Sequence, residues 1–410
     1  MPGENDRVVF DAAATVTMPT TAVTVRALEI SGATVKLTGT NAVQGITASE
    51  YLEVLDGGIG CLDTRLTVNG DAYIRAGGSI THSVNPYESY GVDLGYGVYL
   101  NVLGDMLIEA DGKIDANGCG YALKCGPYGR YGNGYDDYAC HGSRGTATEK
   151  EAYGSIFDPR ELGMGGQGNT GGGRVILTVG GTLTVNGTID ADGRKMDNRA
   201  GAGGSVNLIC GTLAGSGVIS ARGADYTANC APGCGGRVAL RQTVANDLVA
   251  WTGTLAAWGG KYYSPTGLPL YHPGSVYLQM AEEAEKAGRI LIDNHGGLSS
   301  NSAMLTGGVD LPVTNFCVDT VADYKNVTVE LSGKGTLYVT GDVTIRELEL
   351  ESGTRVNLNG HVLTIRSREH KRGRGWPSNW ATAIVYPGTD AAGNPGRIVW
   401  VPRPLAIILR

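Results

Sequence analysis

The chain has 410 residues, of which 65 are glycine and 15 are proline, and 42% are hydrophobic, enough apolar material for a continuous core. Disorder and collagen are therefore both excluded. A net charge of −7 and a pI near 5.5 argue against nucleic acid, whose binders cluster Lys and Arg against phosphates, and no apolar stretch approaches the length of a membrane span.

Residues 1–65 predict short, irregular strands that begin a repeat. The repeat is clearest in residues 66–281, where "GYGVYLNVLGDMLIEADGKIDANG" (95–118), "GGRVILTVGGTLTVNGTIDADG" (172–193) and "GGSVNLICGTLAGSGVISARG" (203–223) are copies of one unit. Looser copies begin at 235 and 274. Each copy contains two or three short apolar runs separated by glycine, too short to include a crossover helix.

When the copies are aligned, three columns are apolar. They are Val98, Val175, Val206, Val238 and Val276; Leu100, Leu177, Leu208, Leu240 and Leu278; and Ile114, Ile189, Ile219 and Leu255. Alternation within each run puts these side chains on one face of a strand. The pattern predicts an all-β fold, a parallel β-helix or solenoid with identical residues stacked along its core. We take it as right-handed from the general preference of crossover connections.

Residues 282–410 predict further turns and a cap. The segment "AEEAEKAGR" (281–289) is helical in pattern and predicts a break in the repeat. Strand alternation resumes over 327–367, and the tail that contains Trp376, Trp380 and Trp400 is expected to cover the open end. The N-terminal residues do not have the pattern of a signal peptide. We expect a secreted or cell-surface protein, and we therefore expect its targeting segment to lie outside this sequence.

Four insertions follow the same position of successive copies. They span 119–171, 194–202, 224–234 and 260–272, after the tetrads that end at Gly118, Gly193, Gly223 and Gly259. Because each leaves the repeat at the same corner, we expect the four to meet on one side. Loops on a rigid scaffold are where binding sites usually lie.

The insertions hold ten of the twenty tyrosines. Aromatic rings beside hydrogen-bonding side chains suit a sugar, whose C–H face stacks while its hydroxyls bond laterally. The alternative is that the tyrosines pack a long loop against the scaffold. The candidate carbohydrate-binding residues are Trp258, Tyr128, Tyr131, Tyr135, Tyr138, Tyr226, Tyr262, Tyr263, Tyr271, Asn117, Asp190, Asp192 and Arg222.

The sequence contains candidate catalytic residues but no motif that is typical of an enzyme. Asp190 and Asp192 could join Asp115, Asp136 or Asp137 as the paired carboxylates of a glycosidase, and loop Arg or Lys residues could serve as a lyase base. Carboxylates at i and i+2 equally suit a calcium site or solvation, so calcium is possible and no other cofactor is expected.

The histidines and cysteines do not match a catalytic or zinc-binding motif. His141 and His272 lie in insertions without an evident Ser or Cys partner and are interpreted as polar surface residues. The eight cysteines fit no zinc spacing. One or two loop disulfides are expected in an oxidising compartment, whereas Cys210 falls in a core column and predicts a buried thiol.

The repeats at 172–193 and 203–223, with the lead-in "MGGQGNTGGG", resemble glycine-rich β-helical modules of bacterial polysaccharide-degrading enzymes, nearest in size and character to carbohydrate-binding module family 89. The resemblance is most secure over 66–281. It implies a non-catalytic xylan-binding module that keeps a covalently attached glycoside hydrolase near its substrate. We expect the chain to be a monomer. No binding residue is transferred from that family. A β-helical polysaccharide lyase or glycoside hydrolase, and an adhesin or structural surface segment, remain as alternatives.

Overall fold

A computed structural model describes residues 2–17, 22–38, 45–86, 91–127, 129–130, 139–143, 152–166, 168–194, 200–225, 232–261, 272–296, 309–313, 319–366 and 384–401. Over these residues the protein is nearly all-β, with one short 3₁₀-helix at Val321–Asn326. No helix in these ranges is long and apolar enough to cross a membrane.

The strands are short and are separated by glycine-rich bends. They are β1 (Arg7–Phe10), β2 (Ala14–Thr17), β3 (Val23–Ile30), β4 (Thr34–Thr38), β5 (Ile46–Val54), β6 (Ile59–Asp63), β7 (Arg65–Val68), β8 (Asp71–Ile74), β9 (Ser79–Thr81), β10 (Val98–Val102), β11 (Met106–Ile108), β12 (Lys113–Asp115), β13 (Cys125–Gly126), β14 (Gly129–Arg130), β15 (Arg174–Val185), β16 (Thr188–Asp190), β17 (Ser205–Ala214), β18 (Val218–Ser220), β19 (Arg237–Gln242), β20 (Thr254–Ala256) and β21 (Ser275–Gln279).

The remaining strands follow residue 288. They are β22 (Arg289–Asp293), β23 (Val309–Leu311), β24 (Thr328–Ser332), β25 (Thr336–Val339), β26 (Val343–Ile345), β27 (Glu347–Leu350), β28 (Arg355–Asn357), β29 (Val362–Ile365), β30 (Ile384–Tyr386) and β31 (Arg397–Trp400).

Two large sheets collect equivalent strands of successive repeats. A 14-stranded sheet has the order β1-β3-β5-β7-β10-β15-β17-β19-β21-β22-β24-β27, with β8 and β11 alongside, and an 8-stranded sheet has the order β2-β4-β6-β9-β12-β16-β18-β20. Sheets of four strands (β23-β25-β28-β30) and three strands (β26-β29-β31) complete the C-terminal part. Strands β13 and β14 form a small antiparallel pair.

The apolar columns predicted from the sequence are confirmed. Val98, Val175, Val206, Val238 and Val276 are register partners in adjacent parallel strands, as are the leucines two residues later. Ile114, Ile189, Ile219 and Leu255 form the third column in the smaller sheet. All of these residues except Leu255 are buried in one continuous cluster. This burial fixes the register of each strand, because a shift by one residue would turn the apolar side chains away from the core.

The repeated glycine pairs allow neighbouring repeats to approach closely. A Cβ added at Gly204 would lie 1.9 Å from the carbonyl oxygen of Gly173 in the preceding repeat. Only glycine fits there, so Gly203-Gly204 serve the backbone packing and not a ligand.

The helix predicted for 281–289 is wrong, although the predicted break is present. Those residues form turns, and β22 pairs antiparallel with β21. Strands β24 and β27 then continue in parallel with β22, so the repeats after residue 288 run in the reverse direction in this sheet. Gly288 contributes to the reversal, because a Cβ there would lie 1.9 Å from the carbonyl oxygen of Leu278.

The insertion 119–171 extends well beyond one corner. Its described C-terminal part crosses the outer face of the large sheet: Asp158 accepts a hydrogen bond from Asn207 and pairs with Arg241 at 3.1 Å. Further on, Ile156 donates to Asp319 at 2.9 Å, and Phe157 packs edge-on against Tyr277 with ring centroids 5.0 Å apart. The insertion therefore contacts residues on both sides of the point where the repeat reverses direction.

Candidate functional site

Four side chains lie in register immediately after strands of the 8-stranded sheet. Asn117, Asp192, Arg222 and Trp258 each stand two residues beyond a strand end, and three backbone hydrogen bonds join their segments: Gly118 N–H to Asp192 O at 3.0 Å, Gly193 N–H to Arg222 O at 2.8 Å, and Gly223 N–H to Trp258 O at 3.0 Å. The equivalence of these four positions, predicted from the tetrads, is confirmed.

His295 extends this row, although it is not among the residues predicted from the sequence. Its imidazole stacks on the indole of Trp258, with centroids 4.2 Å apart and planes at 16°. A signal was present: Ile292-Asp-Asn-His-Gly296 matches the Ile-Asp-x-x-Gly pattern at 114–118 and 189–193. The reversed chain direction hid the correspondence. We call Asn117, Asp192, Arg222, Trp258 and His295 the post-strand row.

The same local turn positions three members of the row. The Asp that ends each strand accepts a hydrogen bond from the backbone N–H two residues on: Asp115 from Asn117 at 3.1 Å, Asp190 from Asp192 at 2.6 Å, and Asp293 from His295 at 2.8 Å. Such Asx turns fix the chain where it leaves a strand. One role of these aspartates is therefore to orient the residue that follows.

Asp192 and Arg222 form the charged centre of the row. The guanidinium Nε donates to Asp192 Oδ2 at 2.6 Å, and the backbone N–H of Arg222 donates to Oδ1 of the same carboxylate. Asp192 is buried while the Arg222 side chain is 39% exposed, so the ion pair lies at the surface edge of the sheet. Burial raises the pKa of Asp192, whereas Arg222 opposes that rise.

Asp190 is a second carboxyl group of the site with a raised pKa. Its register partners are Asp115 on one side and Ser220 on the other. Burial, followed by the negative charges of Asp192 and Asp115, raises the pKa of Asp190 to about 7. Near neutral pH a substantial fraction of Asp190 is therefore protonated, whereas an aspartate in water is almost wholly ionised.

The aromatic member has neighbours on both sides along the row. His295 covers part of the Trp258 ring, and the Arg222 guanidinium lies 5.9 Å from the ring centroid. Cation–π attraction and aromatic stacking together hold the half-buried indole in place. Trp258 is thus a fixed ring whose remaining exposed surface is available to solvent.

The row borders an open groove of about 700 Å³. Its lining combines hydrogen-bonding groups of both charges with two stacked rings: Asp115, Asn117, Asp192, Arg194, Arg222, Asp225, Trp258, Lys261 and His295, besides Gly193, Gly223 and Ala224. A second cavity of about 390 Å³ shares Trp258 as a wall, and its lining mixes apolar side chains such as Leu255 and Val276 with the carboxylates Asp293, Glu330, Glu349 and Glu351. Trp258 therefore stands between two cavities.

Most predicted tyrosines lie outside the described residues. These are Tyr128, Tyr131, Tyr135, Tyr138, Tyr226, Tyr262, Tyr263 and Tyr271, and the carboxylates Asp136 and Asp137 are also outside them. Two other insertion tyrosines are described and pack inside the protein. Tyr153 is fully buried and donates to Leu162 O at 2.7 Å, and Tyr121 is 5% exposed. For Tyr153 and Tyr121, the alternative interpretation is confirmed: these tyrosines pack the insertion against the scaffold.

The prediction that His141 and His272 are surface residues is wrong. Both are fully buried, and His141 Nδ1 lies 2.8 Å from the carbonyl oxygen of Gly203. Burial lowers the pKa of His141 to about 3 and that of His272 to about 4. They are neutral packing groups beside the glycine pairs: His141 contacts Gly203, and the carbonyl oxygen of His272 accepts a hydrogen bond from the Gly235 N–H at 2.8 Å.

Among the described residues, no group of three or more His, Cys, Asp or Glu side chains could hold a metal ion. Comparison with known protein families, with curated proteins and with solved structures finds no match to this chain. The site must therefore be interpreted from its own geometry.

Proposed function

We propose that this chain is a non-catalytic carbohydrate-binding module in which Asn117, Asp192, Arg222 and Trp258 of the post-strand row contact a plant cell-wall polysaccharide, xylan above all. The observation that carries the proposal is the groove itself. Carboxylate, amide and guanidinium groups line it at successive repeats beside one fixed indole. Sugar hydroxyls both donate and accept hydrogen bonds, and their C–H faces pack on rings.

The proposed architecture is a right-handed parallel β-helix in which the 14-stranded and 8-stranded sheets are separate faces. Parallel pairing of each strand with the strand of the next repeat supports it. Within such a solenoid the post-strand row follows one corner, with neighbouring residues about 4.8 Å apart. An extended polymer lying along this corner would meet the same kind of contact at each repeat.

The groove has little unbalanced charge, which favours a neutral glycan. Asp192 pairs with Arg222, and Asp115 pairs with Lys113 at 3.0 Å, so several groups that border the groove are already neutralised within the protein. A neutral ligand releases no counterions on binding. We therefore propose that affinity changes little between low and high salt. The attached glycoside hydrolase and the secreted or cell-surface location belong to the same proposal.

The decisive experiment combines affinity electrophoresis on a polysaccharide panel with calorimetry on xylo-oligosaccharides. Trp258→Ala should weaken binding by roughly 1–3 kcal/mol, as loss of a central aromatic contact does, with little change in thermal midpoint. Trp376→Ala and Trp380→Ala are the comparison variants. If either abolishes binding while Trp258→Ala does not, the ligand site lies in the C-terminal tail. A protein retained by no glycan of the panel would favour an adhesin or structural segment.

A second candidate function is glycoside hydrolysis, favoured by one observation. The pKa of Asp190, raised to about 7, is what a general acid needs at neutral pH, and Asp115 lies in register beside it. Reducing-end and unsaturated-product assays on the same polysaccharides test this. Steady product release that Asp190→Asn abolishes would show that the chain is an enzyme. If no polysaccharide of the panel releases product, the proposal of a non-catalytic binding module stands.

A further inference from the structure

A pair of buried cysteines lies where the long insertion 119–171 meets the end of the insertion 224–234. Cys140 lies in the described segment 139–143 of the insertion, and Cys234 directly precedes the glycine pair of the repeat that contains β19. Both are fully buried and share a small apolar cluster with Tyr153 and Met164. Neither takes part in the repeat columns or the groove.

The backbone brings the two residues side by side. The N–H of Cys234 donates to the carbonyl oxygen of Ala139 at 3.0 Å, and that of Gly142 donates to Gly235 O at 3.0 Å. The two thiols are hydrogen-bonded to each other. Adjacent hydrogen-bonded backbone segments lie about 5 Å apart, within the Cα separation that a disulfide spans.

The four other described cysteines, which are Cys61, Cys119, Cys125 and Cys210, have different neighbours, and Cys125 packs with Tyr121 and Leu162. Cys61 Sγ lies 3.8 Å from Ser83 Oγ, and Cys119 Sγ lies 3.6 Å from Asn117 O. Cys210 is in register with Val179 and Gln242 inside the large sheet. The contact between Cys140 and Cys234 therefore selects one pairing.

We propose that Cys140 and Cys234 form a disulfide when the chain folds in an oxidising environment, and that this bond fastens the 119–171 insertion to the sheet. One thiolate attacks glutathione disulfide, forms a mixed disulfide and releases one glutathione thiolate. The second cysteine thiolate then attacks the mixed disulfide and releases the other glutathione. The two cysteines lose two protons and two electrons, which glutathione disulfide accepts. Because both thiols are buried in the folded protein, exchange takes place before the insertion closes.

The test refolds the full chain in a glutathione redox buffer and in dithiothreitol. Free thiols are alkylated under denaturing conditions, and the digest is mapped without reduction. We expect one cross-linked peptide pair that contains Cys140 and Cys234, and a thermal midpoint higher by on the order of 5 °C in the oxidised protein, since the bond closes a long loop.

The matched variants separate this bond from general effects of oxidation. Cys140→Ala and Cys234→Ala should each abolish the difference in midpoint between the two buffers, whereas Cys61→Ala should retain it. If both thiols of the oxidised wild type are alkylated, or if Cys234 is linked instead to Cys230, the proposal is wrong. None of these outcomes depends on carbohydrate binding.

Discussion

The indole of Trp258 and the imidazole of His295 stack face to face at 4.2 Å, across the point where the chain reverses direction. A sugar that stacks on this face of the indole must first displace the imidazole. His295→Ala should therefore strengthen binding of xylo-oligosaccharides up to about tenfold, since such ring pairs contribute roughly 0.5–1.5 kcal/mol. Calorimetry at constant pH measures this, and weaker binding by the variant would show instead that His295 contacts the ligand.

The scaffold of the site was accessible from the sequence because it is periodic. Val206 and its partners recur at a constant position in each copy, and a shift of one residue would turn every such side chain to the opposite face. The same periodicity placed Asn117, Asp192, Arg222 and Trp258 together, since they follow the same strand of successive repeats.

What the sequence did not show depends on contacts between distant segments. The antiparallel pairing of β21 with β22 reverses the repeat and brings His295 to Trp258, although 36 residues separate them in the chain. Likewise, Asp158 finds Asn207 and Arg241 only because the insertion lies across the sheet. The pattern at 292–296 resembles the earlier repeats but does not show that the chain reverses, and no local pattern marks the contacts of Asp158. The burial of His141 and His272 likewise depends on distant segments and differs from the sequence prediction.

Three buried histidines in the described part of the chain predict loss of stability in acid. Burial lowers the pKa of His82 to about 4, of His141 to about 3 and of His272 to about 4. In the unfolded chain a histidine titrates near 6.5, so between about pH 6.5 and 4 the unfolded state binds more protons, and the free energy of unfolding falls as pH falls.

Asp190 and Asp192, whose pKa values are raised, oppose this trend, so the histidine contribution is best isolated by a variant. In denaturant titrations, His141→Gln should reduce the slope of unfolding free energy against pH by up to about 1.4 kcal/mol per pH unit between pH 6 and 4.5. Above pH 7.5 the slopes of variant and wild type should coincide. An unchanged slope at low pH would show that His141 is not a neutral buried group.

The Tyr153 hydroxyl anchors two parts of the insertion to each other, and the Tyr153 carbonyl oxygen joins the insertion to β19. Tyr153 donates to Leu162 O at 2.7 Å, and its own carbonyl oxygen accepts from Arg237 Nε at 2.9 Å. Tyr153→Phe keeps the ring but removes the donor to a buried carbonyl, which should lower the free energy of unfolding by about 1–3 kcal/mol. The matched substitution Tyr386→Phe removes a hydroxyl from a partly exposed ring and should change it by less than about 0.5 kcal/mol. Equal effects would contradict the anchoring role.

The valine column tests the repeat itself. Val206 is fully buried between Val175 and Val238, so Val206→Asp places a carboxylate among apolar side chains, with no cation in the column. An unpaired buried charge costs several kcal/mol, and we expect the variant to aggregate or to unfold at much lower temperature. Val249→Asp is the matched control, because Val249 is 82% exposed and the same change there should leave the thermal midpoint nearly unaltered. Scanning calorimetry with size-exclusion chromatography distinguishes the two variants. If Val206→Asp is soluble and as heat-stable as wild type, Val206 does not face the core, and the register of the three columns must be reassigned.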